Sequence, residues 1–333
     1  MNQRFFKQLF LIAFCMVSVA CHASKTRILS LDGGGVRGVV TLELMRQLEK
    51  DSGIHFHDDF DVFAGTSTGS VIAVLLACGV SIDHILQDYQ KMSSDVFSDG
   101  NSIHLFHPKY GHDKLKKSLK KILSSHGIDE NIFVRDLPKK IVITTVALDN
   151  EKEKRWRMEF IENLSGNKGN LKVVDAILES TAAPTYFPSE HGHIDGGMGM
   201  KDPSLAALMF VFSPDKDNLK DISLLSLGTG FTQKYIKGNE DWGISEWMGS
   251  GSKHSDSQPL LHMVLDVEGQ IPEQVAEKLL GNRYKRIDFE LENEVDLDDY
   301  KHISNLIKTT DHFIKNDSSQ WQQDCKWVIK NVH

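Results

Sequence analysis

The feature that most constrains this chain is residues 61–78, DVFAGTSTGSVIAVLLAC, where a Gly-Thr-Ser-Thr-Gly segment joins two apolar runs. The first run has the length of a buried strand, and the second has the length of a buried helix. A serine at such a turn is typical of a nucleophile elbow, which holds the serine hydroxyl clear of the backbone. Gly65 and Gly69 remove side chains that would collide with Ser67. We therefore interpret Ser67 as a candidate nucleophile; the alternative is an ordinary glycine turn.

The surrounding sequence predicts an α/β fold with a parallel sheet. Apolar runs at 26–32, 139–149 and 222–230 are typical of buried strands, and residues 39–53 carry apolar residues at helical spacing before a glycine. Strands and helices alternate along the first part of the chain, which favours parallel pairing. Beyond residue 231 the patterns weaken, although further helices and one strand are still expected. No linker is evident, so we expect one extended domain.

A second motif, LDGGGVRG at residues 31–38, lies just upstream of the serine. Gly33, Gly35 and Gly38 match the dinucleotide-binding pattern, which also needs an acidic residue after the next strand. Here the next strand ends in the Gly-Thr-Ser turn instead. The alternative is a loop whose backbone N–H groups face a developing oxyanion. Arg37 could orient that loop or bind an anionic head group, or it could be a solvated surface arginine.

A serine nucleophile needs a base, and two kinds are available. Asp195 precedes Gly196 and Gly197, and this Asp-Gly-Gly segment is either a plain turn or the site of the base. A conventional esterase would use a histidine later in the chain. The candidates for that histidine are His254, His262, His302 and His312. We expect pH dependence to separate the two, because a histidine base loses activity below its pKa of about 6.5.

Taken together, these segments resemble the patatin-like phospholipase family. The matching residues occur in the family's order: DGGGVRG at 32–38, GTSTG at 65–69, AAPTYFP at 182–188, DGG at 195–197 and SLGTG at 226–230. The resemblance implies a patatin-like three-layer fold, in which helices flank a mainly parallel central sheet. The region beyond residue 231 fits the family only loosely.

The resemblance also implies an activity and a set of site residues. Ser67 and Asp195 match the family's catalytic dyad, so no histidine is needed, and His191 and His193 are interpreted as bystanders. The remaining matches are the oxyanion-loop residues Gly33, Gly34, Gly35 and Arg37 and the motif glycines Gly38, Gly65, Gly69, Gly196 and Gly197. The implied enzyme cleaves fatty acyl esters of phospholipids or lysophospholipids, in membranes or micelles, without metal or cofactor. A non-enzymatic dinucleotide-binding or storage protein is the remaining alternative.

The N-terminal segment predicts export. Arg4 and Lys7 precede an apolar core over residues 9–20, and small residues follow, which is the order of a secretory signal. That core is shorter than the roughly 20 residues a membrane-spanning helix needs. We therefore expect residues 1–23 to be a signal peptide, and residues 24–333 to form the mature domain, secreted or periplasmic. Cys21 after Ser-Val-Ala raises the alternative of a lipid-anchored form.

Charge and patterning bear on the partners of the chain. A formal net charge of -8 gives no sign of a nucleic-acid-binding protein. Residues 112–127 predict an amphipathic, lysine-rich helix that could lie on an anionic membrane, although an ordinary surface helix has the same pattern. Residues 240–252 place Trp242 and Trp247 beside a glycine-serine stretch. That segment predicts either an interfacial anchor or a packed helix followed by a loop.

Overall fold

A computed structural model describes residues 25–100, 107–148, 154–165, 169–213, 219–232, 241–247 and 259–333. The predicted signal peptide therefore lies outside the described residues. Short apolar runs rich in Val, Ile and Leu form the strands. The strands within the described ranges are β1 Thr26–Leu31, β2 Val62–Thr66, β3 Lys140–Ala147, β4 Arg157–Glu162, β5 His193–Asp195, β6 Ile222–Leu227 and β7 Tyr284–Ile287.

Helices connect and cover the strands. They are α1 Gly38–Ser52, α2 Phe56–Asp59, α3 Thr68–Ala77, α4 Ile82–Phe97, α5 His112–Ser125, α6 Val173–Ser180, α7 Ser204–Val211, α8 Ile244–Trp247, α9 Pro259–Glu268, α10 Gln270–Leu280, α11 Ile303–Asn316 and α12 Ser318–Val332. Two single turns, Gly35–Arg37 and Gly196–Met198, lie at the carboxyl ends of strands. In the part of the chain that the structure describes, no helix has the length and apolar character needed to cross a bilayer.

The strands form one sheet in the order β4-β3-β2-β1-β6-β7. The pairs β1–β2, β1–β6, β2–β3 and β6–β7 are parallel, whereas β4 and β5 both pair with β3 in the antiparallel direction. The mainly parallel sheet expected from the sequence is confirmed. Because parallel strands end at the same edge of a sheet, the loops after β1 and β2 meet there.

Helices pack on both faces of this sheet, which is the expected three-layer arrangement. Successive residues of a strand point to opposite faces, so Ile28 and Leu29 belong to two different clusters of buried side chains. The larger cluster lies under α1, α3, α4 and the C-terminal helices. The smaller one lies under α7 and α10.

The lysine-rich segment predicted at 112–127 forms α5. Its apolar residues Leu115, Leu119, Ile122 and Leu123 are all buried in the larger cluster. The geometry therefore fits an ordinary surface helix, with its leucines in the core and its lysines in water. The segment at 240–252 is described only as far as residue 247, where it forms the short helix α8.

Candidate active site

Ser67 lies between β2 and α3 in a backbone conformation that side chains rarely adopt. Its φ of 51° and ψ of -120° place it outside the regions favoured by residues other than glycine. Such strain costs on the order of 1–3 kcal/mol and persists where the surroundings enforce it. A Cβ on Gly69 would collide with the carbonyl oxygen of Leu31, and a Cβ on Gly65 would collide with the backbone of Gly69. The turn therefore closes only with glycines on both sides of the serine.

The register of the sheet brings Asp195 to this serine. Thr66, the last residue of β2, pairs with Thr144 of β3. One edge of β3 is occupied by β4 along Val142–Ala147. The other edge pairs first with β2 and then, beyond the end of β2, with β5. There Asp195 pairs with Thr145, one residue further along β3. Strand pairing thus places a residue 128 positions away in the sequence beside Ser67.

Ser67 and Asp195 are hydrogen-bonded through their side chains. The Ser67 hydroxyl donates to Oδ2 of Asp195 at 2.6 Å, and the Gly197 N–H donates to Oδ1 at 2.7 Å. Both contacts favour the ionised carboxylate, but burial opposes it more strongly. The net effect raises the pKa of Asp195 from 3.8 to about 6. A carboxyl group with that pKa is a stronger base than an exposed aspartate.

Two further serines fix the backbone of the elbow. The Ser67 N–H donates to the Ser180 hydroxyl at 2.9 Å, and the Ser70 hydroxyl donates to the Ser67 carbonyl oxygen at 2.6 Å. Ser180 ends α6, and Thr181 separates it from the Ala-Ala-Pro segment. Sequence reasoning missed Ser180, because a serine at a helix end carries no distinctive pattern.

The glycine loop after β1 lies beside the elbow, and its glycines differ in whether their backbone N–H groups already have an acceptor. The Gly33 N–H donates to the Lys201 carbonyl oxygen at 3.1 Å. Within the described residues, neither the Gly34 nor the Gly35 N–H has a backbone carbonyl acceptor. Gly35 has a φ of +55°, and a Cβ there would collide with Leu297. The geometry thus favours Gly34 and Gly35 as oxyanion donors, whereas the Gly33 N–H already has the Lys201 carbonyl oxygen as its acceptor.

The carbonyl side of this loop is held by buried hydroxyl groups. The Thr229 hydroxyl donates to the Gly33 carbonyl oxygen at 3.1 Å, and the Tyr89 hydroxyl donates to that of Gly35. Arg37 follows the glycines, and its Nε lies 3.4 Å from the Gly34 carbonyl oxygen. Thr229 explains why the Ser-Leu-Gly-Thr-Gly motif accompanies the glycine loop. Tyr89 on α4 could not be inferred from the sequence.

A buried ionic cluster supports the loop from behind. Arg286 of β7 contacts both carboxylate oxygens of Asp32, at 2.7 and 3.2 Å, and it lies 2.9 Å from Asp288 and 3.4 Å from Asp202. Asp32 directly precedes Gly33. Burial raises the pKa of Asp32, while Arg286 acts in the opposite direction. The C-terminal region thus contributes a buried cation to the base of the glycine loop, which sequence reasoning did not foresee.

A pocket of about 970 Å³, its open mouth included, leads to Ser67 and Asp195. Its far wall is made of apolar side chains from α3, α4, α5 and the loop before β5. These are Val71, Met92, Val96, Phe97, Leu115 and Phe187. Gly34, Gly35 and Arg37 line it near the serine. The arrangement suits a molecule with a long apolar part and a polar reacting group.

The histidines considered in the sequence have other partners wherever their side chains are described. His191 bonds to Glu179 at 3.0 Å, and His193 bonds to the His191 carbonyl oxygen at 2.9 Å. His302 bonds to Asp299 and His312 to Asn316. His254 lies outside the described residues, as does the side chain of His262.

An α/β sheet with a serine elbow and a hydrogen-bonded carboxylate defines a class of hydrolase. The family model of patatin-like phospholipases matches residues 29–208, and the chain belongs to this family. Membership indicates a lipid hydrolase, and it confirms the resemblance and the fold expected from the sequence. The match ends before β6, β7 and Arg286.

Two curated proteins and one solved structure show the extent of the similarity. The chain is 29% identical to a cGAMP-activated phospholipase of Escherichia coli, over 63% of this chain and 64% of that protein. It is 27% identical to patatin-like protein 4 of Arabidopsis thaliana, over 74% of this chain and 70% of that one. Among solved structures, full-length ExoU of Pseudomonas aeruginosa, in complex with SpcU, aligns with a TM-score of 0.40 and 18% identity, over 77% of this chain and 53% of that one.

Proposed function

We propose that this protein is a lipid acyl hydrolase that cleaves fatty acyl esters of phospholipids or lysophospholipids through a Ser67–Asp195 dyad. The observation that carries the proposal is the 2.6 Å hydrogen bond from the Ser67 hydroxyl to Asp195, at the end of an apolar pocket. Among the described residues, this carboxylate is the side chain that the Ser67 hydroxyl contacts. The dyad therefore supplies both a nucleophile and a base.

In the first half-reaction, the Ser67 oxygen attacks the ester carbonyl carbon while its proton passes to Asp195. The negative charge that develops on the carbonyl oxygen is accepted by the N–H groups of Gly34 and Gly35 and by the N-terminus of α3. The tetrahedral intermediate then collapses. The proton held by Asp195 goes to the departing alcohol, which leaves as a lysophospholipid or glycerophosphoalcohol.

In the second half-reaction, water hydrolyses the acyl-enzyme. Asp195 takes a proton from the attacking water, the fatty acid leaves, and the proton returns to the Ser67 oxygen. The acyl chain lies in the apolar part of the pocket, along Val96, Phe97 and Phe187. Arg37 at the pocket wall supplies a positive charge for the phosphate of the head group.

The test is fatty-acid release from mixed phospholipid and lysophospholipid micelles by the unmodified protein, Ser67→Ala and Asp195→Asn. We expect each substitution to lower kcat/KM by at least a factor of about 10³, since loss of a general base alone costs roughly 10²–10⁴. Ser94→Ala and Asp95→Asn are matched controls, because both residues are exposed on α4. These controls should keep activity within a factor of about two.

Two outcomes would contradict the proposal. Full activity of folded Asp195→Asn would point to a histidine base, as in a conventional esterase. Absence of release from all of these lipids by the folded, unmodified protein would remove the ester hydrolase assignment altogether.

We also propose that residues 1–23 direct export of the protein. The support is the order of Arg4 and Lys7, the apolar core at 9–20 and the small residues after it. N-terminal sequencing of the mature protein should find a start near Ser24. A start at a lipid-modified Cys21 would show the anchored form, and an intact Met1 would refute processing.

A further inference from the structure

Two consecutive helices carry an apolar stripe that the core does not use. Within the described residues, seven of the thirteen exposed large apolar side chains lie in α9 and α10. They are Leu260, Met263, Val264, Val267, Ile271, Val275 and Leu279. Val267 is 53% exposed and Ile271 is 58% exposed. Their spacing of three and four residues places them along one side of the two helices. We call these seven residues the apolar stripe.

The stripe faces away from the domain, because another side of α10 makes the packing contacts. Pro272, Ala276 and Leu280 are buried, and the last two belong to the smaller cluster of buried side chains described above. A surface helix normally buries its apolar side and exposes its polar side. Here α10 has apolar residues on two sides, and the side with Ile271, Val275 and Leu279 is left exposed. Contiguous exposed apolar surface of this kind marks a contact with a partner or a lipid phase.

The stripe adjoins the proposed active site. Helix α9 lies against the Gly196–Met198 turn, which directly follows Asp195. Gly197 and Met198 line the pocket that contains Ser67. The start of the stripe is therefore the part of it nearest the pocket, although none of its seven residues lines the pocket.

Two tryptophans lie beside the start of the stripe. Trp242 and Trp247 flank and end α8, their ring centroids are 5.0 Å apart, and α8 contacts α9. Tryptophan is enriched where proteins meet the interfacial zone of a bilayer, because its ring is apolar and its N–H is polar. This pair favours a lipid surface over a second protein surface as the occupant.

The charges around the stripe specify which lipid surface fits. The described charged side chains of residues 241–247 and of α10 are Asp241, Glu246, Glu273, Glu277 and Lys278. Glu273 pairs with Arg286 at 3.6 Å, and three of the other four are acidic, so an anionic membrane would be repelled. A zwitterionic surface, such as phosphatidylcholine, carries no such penalty.

We propose that the apolar stripe of α9 and α10 is the face by which this protein docks on a zwitterionic lipid surface, with the active-site pocket at its edge. Docking would hold the protein on the lipid phase with the start of α9 beside the Gly196–Met198 turn, at the rim of the pocket. The choice of lipid as the occupant rests on the proposed function. The docking itself is a binding event and is measurable without catalysis.

The test uses the full chain, processed as the cell processes it, in a Ser67→Ala background so that vesicles stay intact. Val267→Glu, Ile271→Glu and Val275→Glu are combined in one variant. The matched control is Ile329→Glu, since Ile329 is an exposed aliphatic residue on α12, outside the stripe. Ile271→Ser serves as a milder second variant should the triple variant fold poorly by circular dichroism. Co-sedimentation with phosphatidylcholine vesicles is measured at low and high salt.

We expect the triple variant to lose at least tenfold in vesicle affinity, Ile271→Ser about threefold, and Ile329→Glu less than twofold. Added phosphatidylglycerol should weaken binding at low salt. Unchanged binding of folded variants, or absence of binding by the parent, would overturn the proposal. Dissociation of a dimer by the triple variant, with vesicle binding unchanged, would assign the stripe to a second copy instead.

Catalysis is measured separately with the Ser67-containing protein. The triple variant should hydrolyse a soluble short-chain ester at the parent rate and phosphatidylcholine vesicles at least tenfold more slowly. Binding without any hydrolysis would leave the docking face standing and refute the proposed function. Hydrolysis of vesicles at the parent rate by the triple variant would refute docking alone.

Discussion

A single buried carboxyl group determines much of the expected chemistry at the residue scale. Within the described residues, Asp195 accepts hydrogen bonds from the Ser67 hydroxyl and the Gly197 N–H, and neither donor is a cation. Burial therefore dominates, and the pKa of Asp195 is raised to about 6. An aspartate base with a pKa of about 6 would lose activity near the same pH as a histidine base with the ordinary pKa of about 6.5, so the pH profile distinguishes the two bases poorly. Substitution is the decisive test instead.

The first residue-scale prediction concerns the pH profile. Only ionised Asp195 can accept the Ser67 proton, so activity should require deprotonation of this carboxyl. We expect kcat/KM for a soluble ester to rise about tenfold per pH unit below pH about 6 and to level off above it. A profile that is flat from pH 4 to pH 8 would show that Asp195 is not the titrating base.

The second residue-scale prediction concerns stability. The pKa of Asp195 is raised from 3.8 to about 6 in the folded protein, so folding disfavours the ionised form. Below about pH 4 the carboxyl is protonated in both states and carries no penalty, whereas above about pH 6 it is ionised in both states and the penalty is complete. Asp195→Asn should therefore raise the free energy of unfolding at pH 8 by roughly 2–3 kcal/mol relative to its effect at pH 4. Urea denaturation at the two pH values measures this, and equal effects would contradict it.

At the scale of elements, the glycine loop depends on a strand far along the chain. Arg286 of β7 neutralises Asp32, which precedes the loop, and it also contacts Asp202 and Asp288. Removing one partner of a buried ionic group leaves the others unpaired in a site of low polarity. The oxyanion donors and the stability of the fold should therefore both respond to this one side chain.

We predict that Arg286→Gln lowers the free energy of unfolding by about 3–5 kcal/mol. Arg286→Lys should recover part of the lost free energy of unfolding, because lysine keeps the positive charge but cannot make the bidentate contact with Asp32. Arg135→Gln is the control: the Arg135–Asp136 ion pair is exposed and is expected to contribute less than about 1 kcal/mol. Urea titrations of the three variants decide the matter, and equal effects of Arg286→Gln and Arg135→Gln would refute the role of the cluster.

The limits of prediction from sequence are also clearest at the scale of elements. The strands around Ser67 and the glycine loop were predicted because close backbone approach demands glycine and buried parallel strands demand continuous apolar runs. The Arg286 cluster was not predicted, because an arginine in Tyr-Lys-Arg-Ile looks like any surface residue until β7 joins the sheet. The apolar stripe was missed as well, since its spacing is that of an ordinary core-facing helix. Helix α5 shows the converse, as its buried leucines leave little apolar surface for a membrane.

At the scale of the whole molecule, the first strand and the last helix of the described residues share one core. The larger cluster of buried residues runs from Leu29 to Val332 and includes Trp321 and Val328 of α12. The Arg27 side chain also donates to the Val332 carbonyl oxygen at 3.0 Å. The C-terminal helices are thus part of the unit that holds the site, and they lie beyond residues 29–208, which match the family model.

We predict that Trp321→Ala destabilises the whole protein rather than its C-terminal end alone. The free energy of unfolding should fall by about 3–5 kcal/mol, because a buried ring is lost, and activity and far-UV circular dichroism should disappear at the same urea concentration. Trp156→Ala is the control, since Trp156 is 79% exposed. Loss of helical signal at lower urea than loss of activity would contradict a shared core.

The pairing of β5 with β3 has a consequence for how activity is gained during folding. Ser67 lies on a local turn, but its partner arrives only when Asp195 pairs with Thr145, and contacts of such long sequence separation form slowly. A slip of one residue in that short strand would point the carboxyl group to the opposite face of the sheet. In refolding from urea, catalytic competence should therefore be the last property to return, after helical signal and compactness. A newly folded chain would therefore remain inactive until β5 pairs with β3 in the correct register.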